Sequence, residues 1–185
     1  MSIHKWIILI SVIFINSCNE KSSKNKGLEQ VEYFWTAIKT TANVHNERNA
    51  FLDDIVPDQE RKLTNDYKIK LQKLLELTAD IEKKSNTQIS ILKNKKTEYS
   101  DTKLMNCAIN YLSQTKELNL RIEKLLIERK NGQLYENEQE IWSEIQELAH
   151  QVTEWELKCK DLLETYYEKH NISEEEVDLI KQKIK

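Results

Sequence analysis

Residues 133–170 read QLYENEQEIWSEIQELAHQVTEWELKCKDLLETYYEKH, and this stretch decides the fold. Leu134, Glu138, Ile141, Ile145, Leu148, Val152, Trp155, Cys159, Leu162 and Tyr166 follow one another at alternating steps of three and four. That spacing returns to one face of an α-helix and keeps a heptad register from end to end. So long an apolar stripe leaves water only against partner helices at shallow crossing angles.

The partners lie upstream. Asn131-Gly132 supplies a stop just before this helix, and the preceding stripe contains Leu104, Met105, Ala108, Leu112, Thr115, Ile122 and Leu126. Ser100 or Asp101 can cap its start. A further seam runs through Leu71, Leu74, Thr78, Ile81, Ser85 and Leu92, widened by Leu75, Leu77, Ile89 and Ile91. Pro57 suits the first turn of that helix, where its missing N–H costs nothing. The first helix is expected from Leu28, with an inward face of Leu28, Val31, Trp35, Ile38, Ala42, His45, Leu52 and Val56 and a polar gap at Asn49. Downstream of His170-Asn171, Ser173 and Glu176 form a capping-box pattern that opens a short last helix, with Lys181, Lys183 and Lys185 at its far end.

Short connections force antiparallel neighbours. The expected fold is therefore all-α: an elongated up-down-up-down four-helix bundle, of helices about 28, 40, 30 and 38 residues long, with a short C-terminal helix. A three-helix bundle or extended coiled coil with the first helix loosely docked is the competing arrangement, against which Tyr33, Phe34 and Trp35 stand as core-bound anchors. Composition agrees: 185 residues include only two Gly and one Pro, too little punctuation for a β-sandwich, a barrel or a Gly-rich phosphate loop. A net charge of −3 offers no basic excess to neutralise phosphates, so nucleic acid is not an expected partner.

The N-terminus carries an address. His4 and Lys5 precede an apolar run from Trp6 to Ile15, and Asn16, Ser17 and Cys18 follow. Such a run is half of the roughly 20 residues that span a bilayer, so it reads as a processing signal. Ile15-Asn16-Ser17-Cys18 resembles the lipobox of bacterial lipoproteins, although Asn16 departs from the commonest pattern. The resemblance covers only the leader. It implies removal of residues 1–17 and lipidation of Cys18, with 18–27 as a flexible tether, 28–170 as the bundle and 171–185 as the terminal helix. The absence of an acidic run directly after Cys18 favours, by the same resemblance, the periplasmic face of the outer membrane.

Two cysteines then remain for an oxidising compartment. Folding the third and fourth helices back about Asn131-Gly132 sets Cys107 opposite Cys159 to within one helical turn, and a disulfide between them is a candidate beside a pair of free thiols. In the hairpin between the second and third helices, Lys83, Lys84, Lys93, Lys95, Lys96 and Lys103 outnumber Glu98 and Asp101. With the second helix longer than the first, Lys93, Lys95, Lys96 and Lys103 are expected to project past the start of the first helix toward the membrane, or else to be a solvated turn.

Candidate chemistry is sparse. Glu147-Leu148-Ala149-His150 matches the Glu-x-x-His of di-iron bundles, but no second pair exists and both residues fall outside the heptad seam. His45 lies on the expected inward face of the first helix and is the one plausible interior ligand or pH-sensitive group. Tyr166-Tyr167, near a helix end, serve the core or a binding surface. No catalytic residue, metal site or cofactor is expected. The reading that results is a membrane-tethered periplasmic lipoprotein, not an enzyme, that binds another envelope protein or plays a structural part. A small-ligand or metal carrier using the interior around His45 is the alternative, and an immunity or inhibitor lipoprotein a weaker one.

Overall fold

In the computed structural model, residues 3–53, 64–131 and 138–184 are described, with side chains at 23–50, 64–131 and 140–184. Five helices follow in order: α1 (Ile3–Asp53), α2 (Asn65–Lys96), α3 (Lys103–Lys130), α4 (Glu138–His170) and α5 (Glu174–Lys183). Among the described residues there is no strand. None of these helices is long and apolar enough to cross a membrane. The fold is a helical bundle with a short C-terminal helix.

Cross-helix pairs fix the directions. Lys73 pairs with Glu47 at 3.5 Å and Lys95 lies over the Tyr33 ring at 5.6 Å, so α2 runs antiparallel to α1. Lys130 donates to Gln72 Oε1 at 2.6 Å and Lys96 to Asn106 Oδ1 at 3.1 Å, which makes α2 and α3 antiparallel as well. Arg121 pairs with Glu144, and Cys107 and Cys159 are joined, so α4 returns along α3. α5 turns to run parallel to α1: Lys24 meets Glu176 at 2.9 Å, and Lys39 Nζ donates to the carbonyls of Lys181 (2.9 Å) and Ile184 (2.5 Å).

The α4 stripe packs as its spacing demands. Ile141, Ile145, Val152, Cys159 and Tyr166 are buried, with Leu148, Trp155 and Leu162 half-buried beside them. The α3 stripe from Leu104 to Leu126 and the α2 seam from Leu71 to Leu92 are likewise inside, whereas Ile91 is exposed. Full burial of a leucine such as Leu71, Leu74 or Leu112 contributes about 2–3 kcal/mol. The core divides along its length. At one end Val31, Phe34 and Ala37 of α1 join α3, α4 and α5 in one cluster; at the other Ile141, Ile145 and Val152 of α4 pack with α2 and α3, and among the described residues α1 contributes none to that cluster. Alongside, Val44 packs with Leu77 and Ile81 of α2. The helix α1 thus parts from α4 along the bundle.

Several local expectations are corrected. Residues 18–27 fall within α1, where Lys24 pairs with Glu176 and the Gly27 backbone lies under the His170 ring. The α2–α3 hairpin puts Lys95 at the level of Tyr33, so at that residue it does not project past the expected helix start at Leu28. The inward face of α1 is also rotated from the expected one. Val31 is buried as expected, but the rest of the face is Phe34, Ala37, Thr41, Val44 and Arg48, while Leu28, Trp35, Ile38, Ala42 and His45 are half-buried. The side chain of Leu52 and residues Val56 and Pro57 lie outside the described residues, as do Gly132 and Leu134.

The helix ends follow their capping chemistry. α2 starts after Thr64, whose side chain accepts from Tyr67 N at 3.2 Å. At the start of α3 the cap position is Thr102, without a side-chain cap bond; Asp101 instead accepts from Lys103 N at 3.2 Å. Asn171 takes φ 50°, the left-handed turn that lets Ile172 N bond back to Tyr167 O at 2.9 Å and aims the chain into α5. Ser173 and Glu176 form the expected capping box.

Candidate functional site

The parting of α1 and α4 leaves a groove of about 520 Å³, within the roughly 300–1,000 Å³ of sites that take organic ligands or side chains. Its walls are Trp35 and Ile38 of α1 and Leu157, Leu163 and Tyr167 of α4; Tyr111 of α3 contributes to the lining, and Lys181 of α5 stands at one end. Leu157 is 58% exposed, so this wall is open to solvent. The Lys181 ammonium lies 4.5 Å from the centre of the Trp35 ring. Trp35 Nε1 in turn donates to the Tyr167 hydroxyl at 3.1 Å, fixing two aromatic walls against each other. Burial pushes the Tyr167 and Tyr111 hydroxyls above the ordinary tyrosine range, so both are neutral donors near neutral pH. Glu156, Lys160 and Glu164 line the α4 rim one turn apart.

A larger cavity of about 760 Å³ between α3 and α4 is charged where this one is apolar. Its lining includes Glu117, Arg121, Lys124, Glu144 and Glu147, and the Arg121–Glu144 ion pair bridges it.

The His45 ring nitrogens lie 3.3 and 3.4 Å from Arg48 Nη2, and a guanidinium this close disfavours a second cation at the ring. Burial, then the Arg48 charge, lowers the His45 pKa to about 4 and keeps the ring neutral. Arg48 is itself 1% exposed; Asn49 Oδ1 accepts from its Nε at 3.3 Å and from its Nη2 at 2.9 Å, while its Nη1 has no partner among the described residues. Burial lowers the Arg48 pKa to about 10. Among the described residues no three His, Cys, Asp or Glu side chains cluster as a metal site. Glu147 and His150 lie exposed on the outer face of α4, with His150 3.5 Å from Glu154.

The sulfurs of Cys107 and Cys159 are 2.09 Å apart, with their Cα atoms at 5.6 Å, within the range of a disulfide. Of the hairpin lysines, Lys95 pairs with Glu98 at 3.1 Å and Lys96 donates to Asn106, while Lys93 and Lys103 are exposed. Cys18 lies in α1 and its side chain is outside the described residues.

Tyr166 and Tyr167, expected in the core or at a binding surface, divide between the two: Tyr166 is 3% exposed in the core and Tyr167 lines the groove. Leu157 breaks the heptad seam of α4 and was the one signal available for the groove wall. Comparison of the chain with protein-family models, with curated proteins and with solved structures finds no match.

Proposed function

We propose that this chain is a lipid-anchored helical module of the bacterial cell envelope that works by binding another protein. The location rests on the leader and on the lipobox-like Ile15-Asn16-Ser17-Cys18. A Cys107–Cys159 bond suits the oxidising compartment that such a leader implies. The binding half rests on one observation, the apolar groove between α1 and α4 with Leu157 exposed on its wall. Exposed apolar surface framed by polar residues costs solubility and marks interaction sites.

Two variants test the two halves. Cys18→Ala is expected to release the protein from the membrane fraction or to leave a slower-migrating precursor, since the several acyl chains of a lipoprotein anchor stably where one does not. Unchanged fractionation and mobility refute the anchor. Affinity capture from detergent-solubilised envelope is expected to retain a protein in stoichiometric amount with the natural chain and to lose it with Leu157→Asp. Equal capture by both chains refutes the groove as the binding face.

A further inference from the structure

We propose that the open part of the α1–α4 groove receives an amphipathic helix of a partner protein, laid beyond the end of α5 and carrying basic residues about two turns apart that meet Glu156 and Glu164; this rests on the protein-binding reading above. The first argument is continuity with an interface already in the molecule. Nearer the start of α1, a helix lies along α1: α5 puts Val177 and Ile180 into the core cluster that includes Phe34 and Tyr166. It runs parallel to α1, held at one end by Lys24–Glu176 and at the other by Lys39 on the Ile184 carbonyl. α5 stops at Lys183, while Ile38 of α1 and Leu163 and Leu157 of α4 continue the apolar walls beyond it. A surface that accepts one amphipathic helix at one end and stays apolar beyond it fits a second helix in line.

Charge selects the kind of helix. Glu156 and Glu164 stand on the α4 rim eight residues apart, about 12 Å along the axis, with Lys160 between them. A partner with Lys or Arg seven or eight residues apart, an acid between, and apolar residues at steps of three and four matches both rim and walls.

The test places the photoreactive residue p-benzoylphenylalanine at Leu157 in the full-length, lipidated chain in its producing cells, and maps the crosslinked peptide by mass spectrometry. The expected result is one dominant adduct, on a segment of a different protein with the spacing just described. A synthetic peptide of that segment is expected to bind the natural protein and to lose roughly tenfold in affinity to the Glu156→Lys, Glu164→Lys double variant. That variant is expected to keep the thermal midpoint, because both side chains are exposed. An adduct to a second copy, to lipid, or to a segment lacking the pattern overturns the proposal, as does unchanged peptide affinity in the double variant. The same photoreactive residue at the exposed Ile69 and Leu179 separates the two readings: protein adducts there and none at Leu157 leave protein binding and remove the groove, whereas none at any of the three removes both.

Discussion

A Cβ built on Gly27 would stand 2.9 Å from Cγ and 3.0 Å from Cβ of His170, so the ring of the last α4 residue lies against bare α1 backbone. The ring also stacks on Tyr166, centre to centre 4.4 Å. In an unpacked helix, Gly to Ala gains about 1 kcal/mol. Here the Cβ contact is at the root of the side chain, where no rotamer change removes it, and the Cγ contact yields only if the ring leaves Tyr166. Gly27→Ala is therefore expected to destabilise by about 1–3 kcal/mol, as overpacking does. Removing the ring should relieve most of this, since only the Cβ contact stays: Gly27→Ala is expected to cost less in a His170→Ala background than in the natural chain. Urea unfolding midpoints of the four proteins check it, and a stabilised Gly27→Ala refutes the contact.

His45 sets a pH dependence whose sign follows from its surroundings. Its pKa falls from 6.5 to about 4 on folding, through burial first and the Arg48 charge second. Between those values the unfolded chain binds a proton that the folded chain does not, so stability rises with pH across that window. The contribution is complete above the unfolded value and is lost as pH falls from about 6.5 toward 4, at most about 3 kcal/mol. His45→Gln should flatten that part of the stability profile. An equally steep acid limb in the variant shows that other groups carry it.

Most of the fold was legible because hydropathy and helix geometry act together in α2, α3 and α4. Their stripes lie at one phase and pack at that phase, and the Ser173–Glu176 box needs only local chemistry. The phase of α1 was not legible, since this helix has apolar residues on two adjoining faces. Leu28, Trp35, Ile38 and Ala42 have the stronger pattern, yet Val31, Phe34, Ala37 and Val44 turn inward, because α1 must meet both α2 and α3. Arg48, 1% exposed, is a charge at an inward position that no hydropathy pattern assigns to a core. The groove arises from this same mismatch: the stripe of α1 that looked like core, Trp35 and Ile38, forms its wall.

The Cys107–Cys159 bond closes a loop with a sequence separation of 52 and ties α3 to α4 inside the core cluster that α1 and α5 share. In the chain-entropy model this stabilises by roughly 4 kcal/mol. Replacing both cysteines with Ser should lower the unfolding free energy by about that amount, and reduction of the natural protein should give a similar loss. Thiol counting on a denatured, unreduced Cys18→Ala chain is expected to find no reactive thiol. Two reactive thiols refute the bond.

If Cys18 is lipidated as proposed, the hairpin lysines test how the body stands on the membrane. Lys95 lies over Tyr33, and α1 is continuous from there back through Cys18 to Ile3. Cys18 is thus some 15 residues, roughly 22 Å, up the same helix from the level of the hairpin. With α1 as an upright strut, that separation exceeds two screening lengths, each about 8 Å at physiological salt, so headgroup charge at the anchored end acts weakly on Lys93, Lys95, Lys96 and Lys103. Lys95 is moreover paired with Glu98. Changing all four to Gln in the lipidated protein is expected to leave its partition onto anionic vesicles, and the effect of salt on that partition, unchanged. Lipid-free body should sediment equally with neutral and anionic vesicles. Salt-sensitive binding to anionic vesicles alone, lost in the four-lysine variant, overturns the strut and lays the hairpin on the membrane.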